Sequence, residues 1–147
     1  MQKFSKINSV FLFLLLLILP ATSCNDNNTI IPYVYVNFYI DLNNPEYYDL
    51  NAIGNSVHVT GGVKGIIIYR KSIDEYLAFD RTCTYDPNHE WGKVVLDENM
   101  SSAMDTVCGS EFSFMLDGAA VGGPAAFPLQ QYNVLYDESN NLLYISN

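Results

Sequence analysis

Proline, glycine and asparagine interrupt the chain beyond residue 24 at short intervals, which limits the length of any regular element. No segment there keeps a helical 3.6-residue apolar period over ten residues. The intervening segments are short, and several alternate apolar with polar side chains, as β-strands do. Aromatic residues make up 14% of the sequence, and aromatic side chains favour strands. The pattern predicts an all-β fold, a small antiparallel β-sandwich.

Eight segments carry the strand pattern: residues 33–40, 56–60, 63–70, 75–82, 93–96, 112–116, 131–136 and 142–146. In the first, alternation places four apolar side chains on one face: Val34, Val36, Phe38 and Ile40. Residues 66–69 are apolar without alternation, which predicts a central strand. Turns are expected at residues 71–74, at 117–118 and at 137–141.

The first 23 residues have the pattern of a secretory signal. Lys3 and Lys6 precede an unbroken apolar run at residues 10–19, which is shorter than the roughly 20 residues a membrane-spanning helix needs. Residues 19–24 (Leu-Pro-Ala-Thr-Ser-Cys) resemble a bacterial lipobox. The resemblance implies that Cys24 becomes the mature N-terminus and carries acyl chains such as palmitate. We therefore expect a signal peptide at 1–23, a lipidated tether at 24–31 and one β domain at 32–147.

The lipobox resemblance also implies a location. The protein is expected in the cell envelope of a Gram-negative bacterium, anchored to a membrane by its lipid and facing the periplasm or the exterior. Cleavage would remove Lys3 and Lys6 and leave five basic residues against sixteen acidic ones, a net charge near −11. The sequence shows no basic patch for nucleic acid, so nucleic acid is not an expected partner. The expected partners are the membrane and an unidentified envelope protein or ligand.

The segments around the other two cysteines carry a family motif. Residues 78–85 read Ala-Phe-Asp-Arg-Thr-Cys-Thr-Tyr, and residues 108–114 read Cys-Gly-Ser-Glu-Phe-Ser-Phe. Asp-x-x-x-x-Gly-Gly-Pro-Ala, Pro-Leu and Tyr-Asn-Val follow within residues 117–134. This order resembles the Rieske-type 2Fe–2S domain family over residues 56–147. It is similar to the small Rieske-like lipoproteins of Bacteroidetes, and it implies an electron-transfer fold in which the Gly-Pro-Ala segment covers the cluster.

The cluster ligands depart from the family pattern. A Rieske centre binds one iron through two thiolates and the other through two imidazoles. Cys83 and Cys108 stand at the thiolate positions, but Tyr85 and Glu111 stand where the two histidines belong. Exchanging two neutral imidazoles for two potential anions disfavours assembly of the cluster. The resemblance thus implies a degenerate domain without metal or cofactor, and the alternative is a 2Fe–2S electron-transfer protein with altered ligands.

Three states of Cys83 and Cys108 remain open from the sequence. An even pair of cysteines in an exported protein favours a disulfide. Family members bind one iron through both cysteines, which implies that the sulfurs lie close together. The other states are free thiols and a metal site with altered ligands, to which His89 could contribute from its loop. We favour an exposed loop position for His89 and a strand-surface position for His58.

Other chemistries have little support in the sequence. No nucleophile elbow, phosphate-binding loop or calcium loop is present, and the protein is not expected to be an enzyme. Tyr33, Tyr35 and Tyr39 alternate along the first predicted strand and could form a binding surface, although we favour a strand buried on both faces. The predicted function is a structural or binding role for a lipid-anchored envelope protein.

Overall fold

The computed structural model describes residues 31–147. The predicted signal peptide, the lipidation site Cys24 and all of the predicted tether except Ile31 lie outside the described residues. In the described part of the chain, no helix has the length and apolar character needed to cross a membrane.

The described residues form ten strands and two short 3₁₀ helices. The elements in chain order are β1 (Asn37–Asp41), a 3₁₀ helix (Pro45–Asn51), β2 (Ser56–Val59), β3 (Ile66–Arg70), β4 (Tyr76–Asp80), β5 (Val94–Leu96), β6 (Ser102–Asp105), β7 (Glu111–Ser113), a 3₁₀ helix (Phe114–Leu116), β8 (Ala119–Gly122), β9 (Gln131–Asp137) and β10 (Leu142–Ser146). They build a six-stranded sheet in the order β1-β10-β9-β4-β3-β2 and a four-stranded sheet in the order β5-β6-β7-β8. Every strand pair is antiparallel, which confirms the predicted fold class.

Strand β3 separates two apolar clusters. Ile66 and Ile68 pack into one cluster, whereas Ile67 and Tyr69 pack into the other. All four side chains are buried, as the unbroken apolar run predicts for a central strand. The second cluster lies between the six-stranded sheet and the four-stranded sheet, since it also contains Phe112 of β7.

The first strand differs from its prediction. It begins at Asn37 and not at residue 33. Tyr33, Tyr35 and Tyr39 are 77%, 71% and 63% exposed, so the interpretation of a strand buried on both faces is wrong. Tyr33 and Tyr35 precede the strand, and Tyr39 faces outward opposite Tyr144 in the register with β10. Residues 31–36 lie outside any strand, and the Asn147 side chain donates a hydrogen bond to the Val34 carbonyl.

The four-stranded sheet departs further from the prediction. Strands β6 and β8 were not predicted, because β6 is short and mostly polar and β8 consists largely of small residues. The predicted strand 112–116 ends at Ser113, and the chain then turns through the 3₁₀ helix Phe114–Leu116. Asp117 adopts a left-handed conformation with φ 55°, which closes this turn.

Candidate functional site

Cys83 lies just beyond β4, where the chain crosses from the six-stranded sheet to the four-stranded sheet. Its neighbour Thr82 forms an antiparallel bridge with Lys93, directly before β5. Asp80 Oδ1 accepts hydrogen bonds from the Thr82 backbone N–H at 2.8 Å and from the Thr82 hydroxyl at 2.6 Å. The Cys83 side chain is 1% exposed and packs in the second apolar cluster. The end of β4 therefore holds this sulfur inside the domain.

Cys108 lies in the turn between β6 and β7, and Asp105 at the end of β6 organises that turn. Asp105 Oδ1 accepts hydrogen bonds from Val107 N at 2.7 Å and from Cys108 N at 3.4 Å. The Asp105 carbonyl accepts from Gly109 N at 2.8 Å, and the Asp105 N–H donates to the Ser110 carbonyl at 2.9 Å. Aspartate forms such turns because its short side chain reaches the backbone two residues on. The turn leaves Cys108 partly exposed.

The two loops bring the sulfurs of Cys83 and Cys108 to 3.4 Å from each other. Both residues are free cysteines in the structure. A disulfide bond requires about 2.05 Å between the sulfur atoms, so the predicted disulfide is not formed in this conformation. The sulfurs are nevertheless neighbours, although 24 residues separate them along the chain.

Asp105 adds a third donor to the sulfur pair. One carboxylate oxygen of Asp105 and the sulfurs of Cys83 and Cys108 all lie within 4.8 Å of one another. Asp105 is 1% exposed, so its carboxylate is as buried as the Cys83 sulfur. We call these three residues the thiol–carboxylate site. The sequence reasoning missed Asp105, and the only signal was an Asp three residues before a Cys, a spacing that many turns share.

Burial and neighbouring groups set the electrostatics of the site. Desolvation by burial raises the pKa of the Cys83 thiol to about 12. The Tyr85 backbone N–H bonded to this sulfur opposes the rise in pKa, whereas the Cys108 thiol and the Asp105 carboxylate add to it. The Cys108 thiol donates to Ser110 Oγ at 3.0 Å. The site therefore holds Cys83 as a neutral thiol at neutral pH.

Tyr85 and Glu111, at the predicted histidine positions, lie outside the thiol–carboxylate site. The Tyr85 side chain is 51% exposed, and the Tyr85 backbone N–H donates a hydrogen bond to the Cys83 sulfur. Glu111 is exposed on β7, where its side chain lies against Gly122 of β8. Among the described residues, neither side chain belongs to the group of converging donors.

Neither histidine contributes an imidazole to the thiol–carboxylate site. His89 is half-buried in its loop, and its Nδ1 accepts a hydrogen bond from Trp91 N at 3.2 Å. His58 is exposed on the edge strand β2. Desolvation lowers the pKa of His58, and the positive charges of Arg81 and Lys93 lower it further. In the described part of the chain, the site therefore offers sulfur and oxygen donors but no imidazole nitrogen.

A glycine-rich loop after β8 covers the turn that carries Cys108. Gly123 has φ 75°, and a side chain there would collide with the backbone at Ser110. The Ala125 N–H donates to Ser110 Oγ at 3.1 Å. The Thr84 hydroxyl donates to the Phe127 carbonyl at 2.7 Å. This hydrogen bond joins the loop after β4 to the glycine-rich loop, which we call the cover. The two cysteine loops and the cover thus form one hydrogen-bonded unit.

Comparison with solved structures finds several similar chains. One of them is the ferredoxin of carbazole 1,9a-dioxygenase from Nocardioides aromaticivorans IC177, with a TM-score of 0.44 and 15% sequence identity. The similarity covers 65% of this chain and 86% of that chain. No family model and no curated protein matches the sequence.

The residues of the site do not fit a Rieske-type cluster. Such a cluster needs two thiolates and two imidazoles. The thiol–carboxylate site supplies two sulfurs and one carboxylate within reach of a common centre. A carboxylate cannot replace two neutral nitrogen donors without adding charge to a buried site.

Proposed function

We propose that this protein is a lipid-anchored lipoprotein of a Gram-negative cell envelope, whose degenerate Rieske-like domain has lost its cluster and has a structural or binding role. The observation that carries the proposal is the composition of the site. Two sulfurs 3.4 Å apart lie beside a buried aspartate, while Tyr85 and Glu111 point elsewhere. The loops of the family motif are kept, but the nitrogen ligands that a cluster needs are not.

The order of the motifs supports the Rieske-like assignment. The two cysteine loops follow β4 and β6, and the Gly-Gly-Pro-Ala segment at residues 122–125 covers the second of them. The Tyr-Asn-Val motif lies in β9, which pairs with β4. The chain order of these segments, and the contact of the Gly-Gly-Pro-Ala loop with the Cys108 turn, support the proposed assignment.

In the envelope, we propose that Cys83 and Cys108 form a disulfide. Closing the present 3.4 Å separation needs a movement of about 1.4 Å. The two thiols would give up two protons and two electrons to a disulfide-donating oxidant, which leaves as a dithiol. The bond would close a loop of about 25 residues and stabilise the domain by about 3–4 kcal/mol, mainly by restricting the unfolded chain.

The lipid anchor has a direct test. The full chain and its Cys24→Ser variant would be expressed in a Gram-negative host with labelled palmitate, and membranes would be separated from the soluble fraction. We expect label and membrane association for the wild type only. Equal labelling of the two proteins would contradict acylation at Cys24, whatever the state of the β domain.

The absence of a cluster is tested by iron, acid-labile sulfide and free-thiol assays. The full chain would be purified from membranes in detergent without oxygen, with Cys108→Ser as the control for the thiol count. We expect near-zero iron and sulfide and no reactive thiol at Cys83 or Cys108 before reduction. About two irons and two sulfides per chain would overturn the proposal and establish the electron-transfer alternative.

A further inference from the structure

We propose that the thiol–carboxylate site, when its cysteines are reduced, binds one thiophilic divalent cation of the Zn²⁺ class. The ligands are Cys83 Sγ, Cys108 Sγ and the Asp105 carboxylate. The inference rests on the proposed function in one respect, because it requires that no iron–sulfur cluster occupies the two cysteines. It goes beyond that function by giving the reduced domain a ligand of its own.

The distances within the site fit a single ion. Two Zn–S bonds of about 2.3 Å at a tetrahedral angle place the sulfurs about 3.8 Å apart. The observed separation of 3.4 Å differs from this by only a few tenths of an ångström, so a small outward movement of one sulfur completes the geometry. The Asp105 oxygen lies within 4.8 Å of both sulfurs. All three donors can thus reach one common centre.

Each donor is already oriented by a second contact. Asp105 Oδ1 accepts hydrogen bonds from Val107 N and Cys108 N, which fixes the plane of the carboxylate. The Cys108 sulfur bonds to the fully buried Ser110 hydroxyl at 3.0 Å. The Cys83 sulfur accepts the Tyr85 backbone N–H. Metal ligands are characteristically held by such outer contacts, which lower the cost of bringing them together.

Charge and stoichiometry fit a divalent ion. Two thiolates beside a buried carboxylate are unfavourable unless a divalent cation compensates the two charges that the loss of the thiol protons creates. When the ion binds, two S–H bonds are replaced by two metal–sulfur bonds, and two protons pass to the solvent. Asp105 enters as the carboxylate, so two thiolates, one carboxylate and one dication leave the site with the same single net negative charge that it carried before binding. Three protein ligands leave a fourth position on the partly exposed side of Cys108, open to water or to a donor from a partner.

Cobalt titration of the reduced protein tests the proposal. The full chain in detergent would be reduced with a phosphine under nitrogen, stripped with a chelator and titrated with Co²⁺ and then with Zn²⁺. We expect one ion per chain, a sulfur-to-cobalt charge-transfer band that Zn²⁺ abolishes, and protection of Cys108 from alkylation by bound Zn²⁺. No charge-transfer band, or a band without one-to-one saturation, would overturn the proposal.

Variants assign the ligands. Asp105→Asn keeps the shape of the side chain, and we expect it to weaken Co²⁺ binding by more than about tenfold. Asp74→Asn, which alters an exposed aspartate in the turn between β3 and β4, should bind as the wild type does. Cys108→Ser should lose most of the charge-transfer band. An Asp105→Asn variant that binds as tightly as the wild type would remove the carboxylate from the site and overturn the proposal.

Two controls keep these results separate from misfolding and from the proposed function. Circular dichroism spectra of the variants would show whether the strands are kept, and the Cys108→Ser variant supplies an independent test if Asp105→Asn does not fold. Cys24 is common to all the variants, so differences among them report the thiol–carboxylate site. Iron and sulfide in the protein as isolated would refute the cluster-free function, whereas failure of the stripped protein to bind Co²⁺ would refute only this inference.

Discussion

The domain buries two aspartates at strand ends, Asp80 at the end of β4 and Asp105 at the end of β6, and their surroundings differ. Asp80 Oδ1 accepts two hydrogen bonds from Thr82, and Oδ2 accepts from Val63 N at 2.6 Å and from the Tyr132 hydroxyl at 2.8 Å. Asp105 receives its backbone hydrogen bonds on Oδ1, and one of its oxygens lies in the group with the two sulfurs. The Asp80 carboxylate thus accepts hydrogen bonds on both oxygens from three separate segments, whereas the Asp105 carboxylate accepts from its own turn and contacts the Cys83 thiol.

The two carboxylates therefore have different roles in the two sheets. The Asp80 carboxylate ties β4, the loop before β3 and β9 of the six-stranded sheet together. The Asp105 carboxylate orders a single turn in the four-stranded sheet and lies beside two groups that can react. A buried carboxylate with all its hydrogen bonds made stabilises the fold. A buried carboxylate that faces two cysteine sulfurs is a candidate for a ligand-binding group.

The largest expected effect is the loss of the Asp80 carboxylate. Asp80→Ala would leave the Val63 N–H, the Thr82 hydroxyl and the Tyr132 hydroxyl without their acceptor in a fully buried place. We expect the free energy of unfolding to fall by about 3–5 kcal/mol, against about 1–3 kcal/mol for Asp105→Ala. Urea denaturation of both variants measures the difference. Equal losses would show that the two aspartates do not differ in role.

The second effect is the state of the sulfur pair. The oxidised domain should be more stable to urea than the reduced domain by about 3–4 kcal/mol, because the bond restricts a loop of about 25 residues in the unfolded chain. The stability to urea of the Cys83→Ala/Cys108→Ala double variant should differ from that of both the oxidised and the reduced domain, because the two substitutions also leave a small cavity. Identical urea midpoints before and after reduction, with thiols counted in each sample, would contradict a disulfide in the oxidised protein.

Alanine variants of two glycines, one beside Asp80 and one beside the β6–β7 turn, test the comparison of the two regions. A side chain at Gly62 (φ 60°) would collide with the Asp80 carboxylate and the Tyr132 hydroxyl, whereas one at Gly123 (φ 75°) would collide with the backbone of the β6–β7 turn. Each alanine variant carries the cost of about 1–2 kcal/mol for a left-handed conformation, plus that of the collision.

The readouts of the two glycine variants should differ. Gly62→Ala should lower the urea midpoint of the whole domain and leave Cys108 alkylation in the folded state unchanged. In the reduced, metal-free protein, Gly123→Ala should loosen the glycine-rich loop over the turn and raise the rate of Cys108 alkylation in the folded state. If Gly62→Ala exposed the thiol as much as Gly123→Ala does, the cover would have no separate role.

The smallest effect is a pH dependence confined to the reduced form. Burial raises the pKa of Cys83 from 9.0 to about 12, so the folded state retains this proton at pH values where the unfolded state loses it. Stability from this group is complete below about pH 9 and is lost as the pH rises toward 12. By pH 10 the reduced protein should lose about 1 kcal/mol more than the oxidised protein.

The comparison of redox forms isolates the thiol from other alkaline groups. Tyr132 also has its pKa raised by burial and by Asp80, but it contributes equally to both forms. Thermal unfolding of metal-free reduced and oxidised protein between pH 7 and about pH 10 measures the difference. Parallel curves would show that the Cys83 thiol is not held in its neutral form.

The sequence predicted the regular sheet better than the site. Strands β3, β4 and β10 have continuous or alternating apolar residues, and their burial against two clusters follows from that pattern. Strands β6 and β8 lack such a pattern. Their pairing with neighbouring strands holds them in the sheet, and this pairing cannot be read from the residues of either strand alone.

The same limit applies to the thiol–carboxylate site. The family resemblance implied that Cys83 and Cys108 lie close, but it assigned Tyr85 and Glu111 as their companions. The actual third donor, Asp105, joins the site because its strand end and the end of β4 meet across two sheets. That encounter depends on tertiary packing, and an Asp in a turn has many more common uses.

Native mass spectrometry of the full chain, released from detergent after purification without oxygen, tests the cluster-free thiol–carboxylate site most directly. The predicted mass of the protein as isolated is that of the polypeptide with its lipid, two hydrogens lighter for one disulfide. Reduction should raise this mass by two hydrogens. Addition of Zn²⁺ should then raise it by the mass of one zinc less two protons. A mass that includes two irons and two sulfides would contradict the central claim.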